Sequence, residues 1–499
     1  MKRLNLVALS LLIGASSVFA GGLVTNSNQS AAWARTLTRE ASLGVDAVYF
    51  NPAGLAQLKN GLHLSISNQS IFQTRTIVSS PFGAFNSYPD ESVYGADLAA
   101  PFFPSIYASY NLDKWAFSAG FNIIGGGGSA DYKTGLPSIE MNMASLSPVV
   151  NSILGQVDAG IEALTGTNPM FGTTSGYSGT MAFSGSSMYL GFQLGATYAI
   201  NDIISVALGG RYVSAKNTYQ GSLDAMIYAP QHMGGQLTYS GDYLMTVATA
   251  IGQAENPLFI GAAGALNQAS KDAKVDAVQE GSGFTPIIGV NLHLSDMINI
   301  AARYEHHTKI ELTNTTDIDD VGMFPHGAKS RADLPGMFSL GAQVKPIDKL
   351  TASIGFNYFL DKSAYYGDYQ TDSTGGPVYE EDEISSVQIN NEGSIDENSW
   401  TLSASLEYKF LGIFGVSVGY NVGNLGVNDS YQSDMSYANK SSSIGGGVFV
   451  ELGEVVTLNA GYVYVMYDDF TKSFDNLPGY TETYGKNTNI FAIGIDLSF

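Results

Sequence analysis

From about residue 60 to the last residue, apolar and polar side chains alternate almost one by one. Residues 115–124 place Trp115, Phe117, Ala119, Phe121 and Ile123 on one face and Ala116, Ser118, Gly120 and Asn122 on the other. In 188–200, Met188, Leu190, Phe192, Leu194, Ala196, Tyr198 and Ile200 lie opposite Gly191, Gln193, Gly195 and Thr197. A period of two is that of a β-strand, and here one face is lipid-like while the other is small and polar. The same pattern predicts strands at 62–77, 104–112, 115–124, 186–200, 203–218, 283–294, 298–311, 336–344, 350–360, 399–410, 413–421, 442–452, 455–468 and 488–499. That makes about 14, each near the length a tilted membrane-crossing strand needs, and an even number brings both termini to one side.

Connection lengths alternate as well. Short turns are predicted at Asn111–Lys114, Asn201-Asp202, Ser295–Met297, Ile347–Lys349, Leu411-Gly412 and Gly453-Glu454. Long loops are predicted at 78–103, 125–185, 219–282, 312–335, 361–397, 422–441 and 469–487. Short turns at one end and long loops at the other are the habit of single-chain outer-membrane barrels. A β-sandwich would bury one strand face on a second sheet and a propeller would repeat a blade motif; neither pattern is found. Two loops carry apolar residues at helical spacing: Val150, Ile153, Leu154, Val157, Ile161 and Leu164, then Leu244, Val247, Ile251, Leu258 and Leu266. Such external helices either gather greasy ligands or pack their apolar faces on one another. The expected fold class is all-β, a membrane barrel of about 14 antiparallel strands with short helices in its extracellular loops.

A barrel of this size is too wide for its own inward side chains to close, so something must occupy the lumen or the protein is an open pore. The N-terminus begins with Lys2 and Arg3, an apolar run from Leu4 to Ile13, and Ala15–Ala20, which predicts a secretory signal over 1–20 cleaved after Ala20. Residues 21–58 are left as the candidate filling, an N-terminal plug, with the barrel over 59–499. Within the plug, Asp46–Leu55 reads as a compact insert. Pro52 holds Asn51 extended, and Ala53 and Gly54 let the backbone lie close against a wall.

Residues 46–58, with Asn51-Pro52-Ala53-Gly54-Leu55 at their core, resemble the N-terminal hatch of the FadL family of outer-membrane transporters for long-chain fatty acids and other hydrophobic molecules. Leu334-Pro335-Gly336-Met337 leading into a strand, and the alternating strand that ends at Phe499, fit the same family. The resemblance implies passive uptake of a hydrophobic small molecule, with long-chain fatty acid ahead of aromatic hydrocarbon. It also implies a mature N-terminus near Gly21 that reaches toward the ligand chamber, with Asn51, Pro52 and Ala53 holding the hatch. Finally, it implies lateral release through a gap near the third strand, where Gly125 and Gly126 are the candidate gate. A flexible start to the long loop is the other reading of these glycines.

Composition narrows the chemistry. Acids outnumber bases 45 to 23, which argues against nucleic acid, and the absence of cysteine removes disulfides and thiolate metal sites. The predicted registers turn Val213, Ile287, Phe359, Phe449, Val463 and Val465 into the lumen, where an ion or sugar porin would carry rings of charge. Arg211 and Arg303 also point inward, either to clasp a ligand carboxylate or to pair with Glu407, Glu451, Asp496 or an acid on the plug. No metal site or cofactor is expected. His306-His307 point to opposite strand faces, the Asp317, Asp319, Asp320 cluster lacks the remaining ligands of a calcium loop, and Glu380–Glu383 read as a solvated loop tip. An enzyme is not expected either, because no Gly-x-Ser-x-Gly elbow is present and His293, in a strand, has no serine partner that the sequence identifies. A general porin, an adhesin-like barrel and an outer-membrane lipase are the alternatives. The expected setting is the outer membrane of a Gram-negative cell, as a monomer. Expected partners are the hydrophobic ligand, membrane lipid and lipopolysaccharide, and the barrel-assembly machinery.

Overall fold

A computed structural model describes residues 29–80, 92–132, 135–171, 174–178, 181–223, 227–230, 238–269, 272–320, 322, 324–368, 395–410, 412–434, 436–474 and 479–499. Fourteen antiparallel strands form a closed barrel. They are β1 Gly61–Ser79, β2 Ser92–Leu112, β3 Trp115–Tyr132, β4 Met181–Ala199, β5 Ile204–Leu223, β6 Ala273–Ser295, β7 Ile298–Glu305, β8 Met337–Ile347, β9 Leu350–Phe359, β10 Trp400–Phe410, β11 Phe414–Asn424, β12 Ser441–Leu452, β13 Val456–Tyr467 and β14 Thr481–Ser498. Each strand pairs with its sequence neighbours, and β14 returns to β1 from His63/Ser498 to Ser79/Glu482, so the sheet closes on itself.

Five of the six short turns fall where the spacing puts them, Leu411 of the sixth lying outside the described residues, and the two ends of the barrel chain meet on that side through Leu62 and Phe499. Outward positions carry the apolar residues: Leu194 is 69%, Leu208 67% and Ile493 67% exposed. A belt of large exposed apolar side chains on every strand suits hydrocarbon rather than water.

The strands run further than the alternation indicates. Residues 92–103, expected as loop, extend β2, and 273–282 extend β6. In these extensions the exposed face mixes small and charged residues such as Gly95, Asp97, Lys274 and Glu280 with apolar ones, so the period-two signal fades while the ladder continues. Three neighbouring strands are instead interrupted: β7 resumes at Glu311–Asp319, β8 is preceded by Lys329–Ala332, and β9 is followed by Tyr366–Asp368. Asp333 bridges these breaks. Its buried carboxylate accepts from Ile310 N (3.0 Å), Tyr365 N (3.2 Å) and Arg331 (2.6 and 3.0 Å), and lies 2.7 Å from His307 Nε2.

Outside the wall, α1 Pro137–Thr165, α2 Ser240–Ala250 and α3 Pro257–Ala269 form a cap. Leu154, Val157 and Ile161 of α1 pack on Tyr243, Leu244, Val247 and Ala263, so these helices meet one another.

Candidate functional site

Residues 29–58 lie within the barrel, touching the inner faces of strands on opposite sides. They contain two short helices, α4 Ala31–Thr36 and α5 Ala47–Phe50, and a 3-10 turn Pro52–Gln57. Helices of six and four residues have no stability of their own, so the wall must hold them. It does so mainly by donating to their free carbonyls. Gln193 donates to Val48 O (2.5 Å), Thr197 to Pro52 O (2.7 Å), Ser205 to Ala53 O (2.7 Å), Asn111 to Leu55 O (2.7 Å) and Asn299 to Ala41 O (3.2 Å). Asn51 donates through Nδ2 both to Ser42 O (3.0 Å) and to Asn291 Oδ1 on β6 (2.8 Å). A side chain at Gly54 would stand 2.6 Å from Ser42 O, and one at Gly461 of β13 would stand 2.8 Å from Arg35 N. The small inward face of the strands is therefore the seat of this segment.

Charge organises the segment internally. Asp46 accepts from Arg39 (2.6 and 2.8 Å), Ser42 (2.7 Å) and Ser30 (2.9 Å), and the Ser30 hydroxyl also caps α4 through Trp33 N (2.9 Å). Burial works against the Asp46 charge, but Arg39 and the two hydroxyls outweigh it and hold the carboxyl below its ordinary 3.8. Arg35 crosses to the wall, bonding Asn459 (2.9 Å), Ser417 (2.6 Å) and Glu407, with Phe449 4.4 Å beneath its guanidinium.

Outside this segment is a chamber of about 570 Å³. Its floor is Trp33, Glu40, Tyr49 and Phe50 of the lumenal segment with Arg303 of β7, and its walls include Phe103 and Phe359; the Glu40 carboxylate accepts from Asn357 (2.9 Å). Arg303 and Tyr49 are buried, and Arg303 Nε and Nη1 and the Tyr49 hydroxyl make no hydrogen bond. Arg303 lies 3.5 Å from Glu305, whose carboxylate is already gripped at both oxygens by Arg211 (2.8 and 2.9 Å). Toward the loops, Arg75 of β1 stands opposite Lys486 of β14, and both line the chamber. Arg75 donates to Gln73 (3.0 Å) and Lys486 lies 4.5 Å from the Tyr467 ring. Among the described residues neither forms an ion pair with an acid.

Of the residues expected to meet ligand, Arg303 and Phe359 line this chamber. Arg211 is instead paired across the wall with Glu305, a partner outside the acids considered from sequence. Ile287 is buried in the wall, Val463 packs on α4, and Phe449 lies under Arg35. The alternation does not point to Arg75 or Lys486: Lys486 falls in a predicted loop, and Arg75 is a single base near the end of a predicted strand. A lone basic residue in an alternating strand was the available signal. Gly21 and Glu380–Glu383 lie outside the described residues.

The wall changes at its third strand. β2 and β3 pair only from Leu112/Trp115 to Ser105/Asn122; beyond that, residues 92–104 pair with β1 and 123–132 with β4. The β3–β4 register slips at Ile123/Gly125 and again at Gly126/Gly128, and Gly126 has φ +67°, a left-handed backbone that suits glycine. On the other side Pro101 and Phe102 of β2 oppose the single Ser70 of β1, a bulge.

The 14-stranded barrel has counterparts among solved structures. A Pseudomonas aeruginosa FadL homologue superposes with a TM-score of 0.55 at 12% identity, covering 96% of this chain and 100% of that one. The Pseudomonas putida toluene transporter TodX gives 0.51 at 13%, covering 97% of both chains. The fold is of the FadL type. No protein-family model and no curated protein matches the sequence. At this identity the FadL-type likeness concerns backbone architecture, and the chamber's chemistry must be judged on its own side chains.

Proposed function

We propose that this chain is an outer-membrane transporter for passive uptake of hydrophobic small molecules, with long-chain fatty acids as its cargo. Residues 21–58 act as its plug, Asn51 latches that plug to β6, and cargo leaves sideways between β2 and β3, past Gly125 and Gly126. One observation carries the choice of cargo: an aromatic and aliphatic chamber has at its floor a buried Arg303 whose Nε and Nη1 make no hydrogen bond and whose neighbour Glu305, 3.5 Å away, is already held by Arg211, and at its mouth Arg75 and Lys486, which form no ion pair with an acid among the described residues. Unspent guanidinium N–H groups call for an anionic oxygen, and the surrounding Trp33, Phe50, Phe103 and Phe359 for an apolar tail. TodX is named as a toluene transporter, but a neutral hydrocarbon would leave Arg303 Nε and Nη1 without a hydrogen bond. The proposed role is transport without catalysis, by a monomer.

The test is mass spectrometry of small molecules that co-purify with the barrel, followed by competition binding of a fatty acid against the alkane of equal length. Fatty acid in the eluate and a clear preference for the acid are expected. Co-purified oligosaccharide, or equal affinity for acid and alkane, would overturn the reading.

A further inference from the structure

Continuing the β2–β3 register one step past Ser105 and Asn122 sets Pro104 opposite Ile123. Proline has no N–H, so β2 cannot donate to the Ile123 carbonyl, and the ladder stops. In a wall that faces hydrocarbon an unpaired peptide group is costly, and here a side chain covers it. Gln29 turns its amide onto both groups of Ile123: Nε2 donates to the carbonyl and Oε1 accepts from the N–H at 3.0 Å. Ser105 of β2 donates to Gln29 O (3.1 Å), so the residue bridges the two parted strands. It is followed directly by Ser30, which ties to Asp46 and caps α4, so Gln29 moves with the lumenal segment. Phe103, Ala100 and Gly126 line the chamber, which therefore extends to this point, and Ala100, Phe103, Leu190 and Ile71 surround Ile123 with apolar surface.

We propose that the peptide groups of Ile123 form a head-group subsite in the wall, occupied at rest by the Gln29 amide and taken over during exit by the cargo's carboxylic acid in its neutral, protonated form. The proposal rests on the reading of the chain as a fatty-acid carrier with lateral release. A primary amide presents one donor and one acceptor side by side, and so does a protonated carboxyl; a carboxylate only accepts and would set its charge against the Ile123 carbonyl. The chamber cations hold the acid as an anion; on leaving them the carboxylate takes one proton from the solvent, because the exit faces lipid, where a charge is expensive. Exchange of Gln29 for the neutral head group keeps Ile123 paired while the apolar tail slides between β2 and β3.

Parent and Gln29→Leu barrels in phosphatidylcholine vesicles are given three ligands with the same fluorescent tail: the acid, its primary amide and the sulfonate. Entry into the bilayer is followed against protein-free vesicles, and affinity is measured separately in detergent. The acid and amide are expected to enter at similar rates, while the sulfonate binds comparably but enters about tenfold more slowly. Gln29→Leu removes the resident competitor and raises acid entry about threefold or more, with affinity held within about twofold. Gln29→Glu, which retains the acceptor and loses the donor, accelerates entry in the same direction. Sulfonate entering as fast as acid, or both Gln29 variants entering at the parent rate, overturns the subsite and leaves lateral release standing. Acid delivered by the parent to the trapped aqueous space instead of the bilayer overturns lateral release and the subsite together.

Discussion

Replacing Asn51 by Ala removes two hydrogen bonds at the centre of the lumenal segment, one to Ser42 O and one to Asn291 Oδ1. Asn291 is not orphaned, because Asn299 Nδ2 still donates to the same oxygen at 2.8 Å. The Ser42 carbonyl loses this donor in a buried setting. One net hydrogen bond plus one stranded carbonyl amount to about 2–4 kcal/mol. Spread over a seated–unseated equilibrium, that shifts the population roughly 30- to 700-fold toward the unseated state. The barrel itself is untouched, since strand pairing and the outer apolar belt do not involve residue 51. Asn51→Ala should therefore keep the heat-modifiable gel mobility of the parent while brief ion-conducting openings become frequent in planar bilayers. A mutant that fails to assemble, or one whose conductance and uptake match the parent, would refute the latch.

Other expectations follow from the same geometry. Arg303→Met should weaken fatty-acid binding by about 1.5–3 kcal/mol while leaving a long-chain alcohol within about twofold, as read by competition titration. Gly461→Val should push α4 off its seat and raise conductance, with no loss of barrel on a heat-modifiability gel. Asp46 has its folded carboxyl below 3.8, so its contribution to seating is complete above that value and is lost as pH falls through the lower folded value. Single-channel recordings should stay closed down to about pH 4 and open more often below it, and steady loosening from pH 7 to 5 would contradict this assignment.

Much of the wall was legible because each spanning strand must satisfy two environments at once, lipid outside and a small polar lumen inside. That dual demand wrote Leu194, Phe192 and Gly195 into strict alternation. It is broken over residues 92–103, where Gly95, Asp97 and Ala99 are exposed between Val93 and Phe102, and where the strand contains Pro101. The site was less legible because it is assembled from long-range partners. Nothing near Arg211 in sequence announces Glu305, 94 positions away, and nothing near Gln29 announces Ile123. The glycines at 419, 445, 461 and 494 look like ordinary small inward residues, and their purpose appears only once α4 lies against them.

The borrowed hydrogen bonds of the lumenal segment also fix a sequence in time. Residues 29–58 are made before any strand of the barrel, yet their carbonyl partners sit on β2, β4, β5 and β7, and Arg35 waits for β10, β11 and β13. A segment synthesised ahead of every strand can take its shape only after the last strands have arrived.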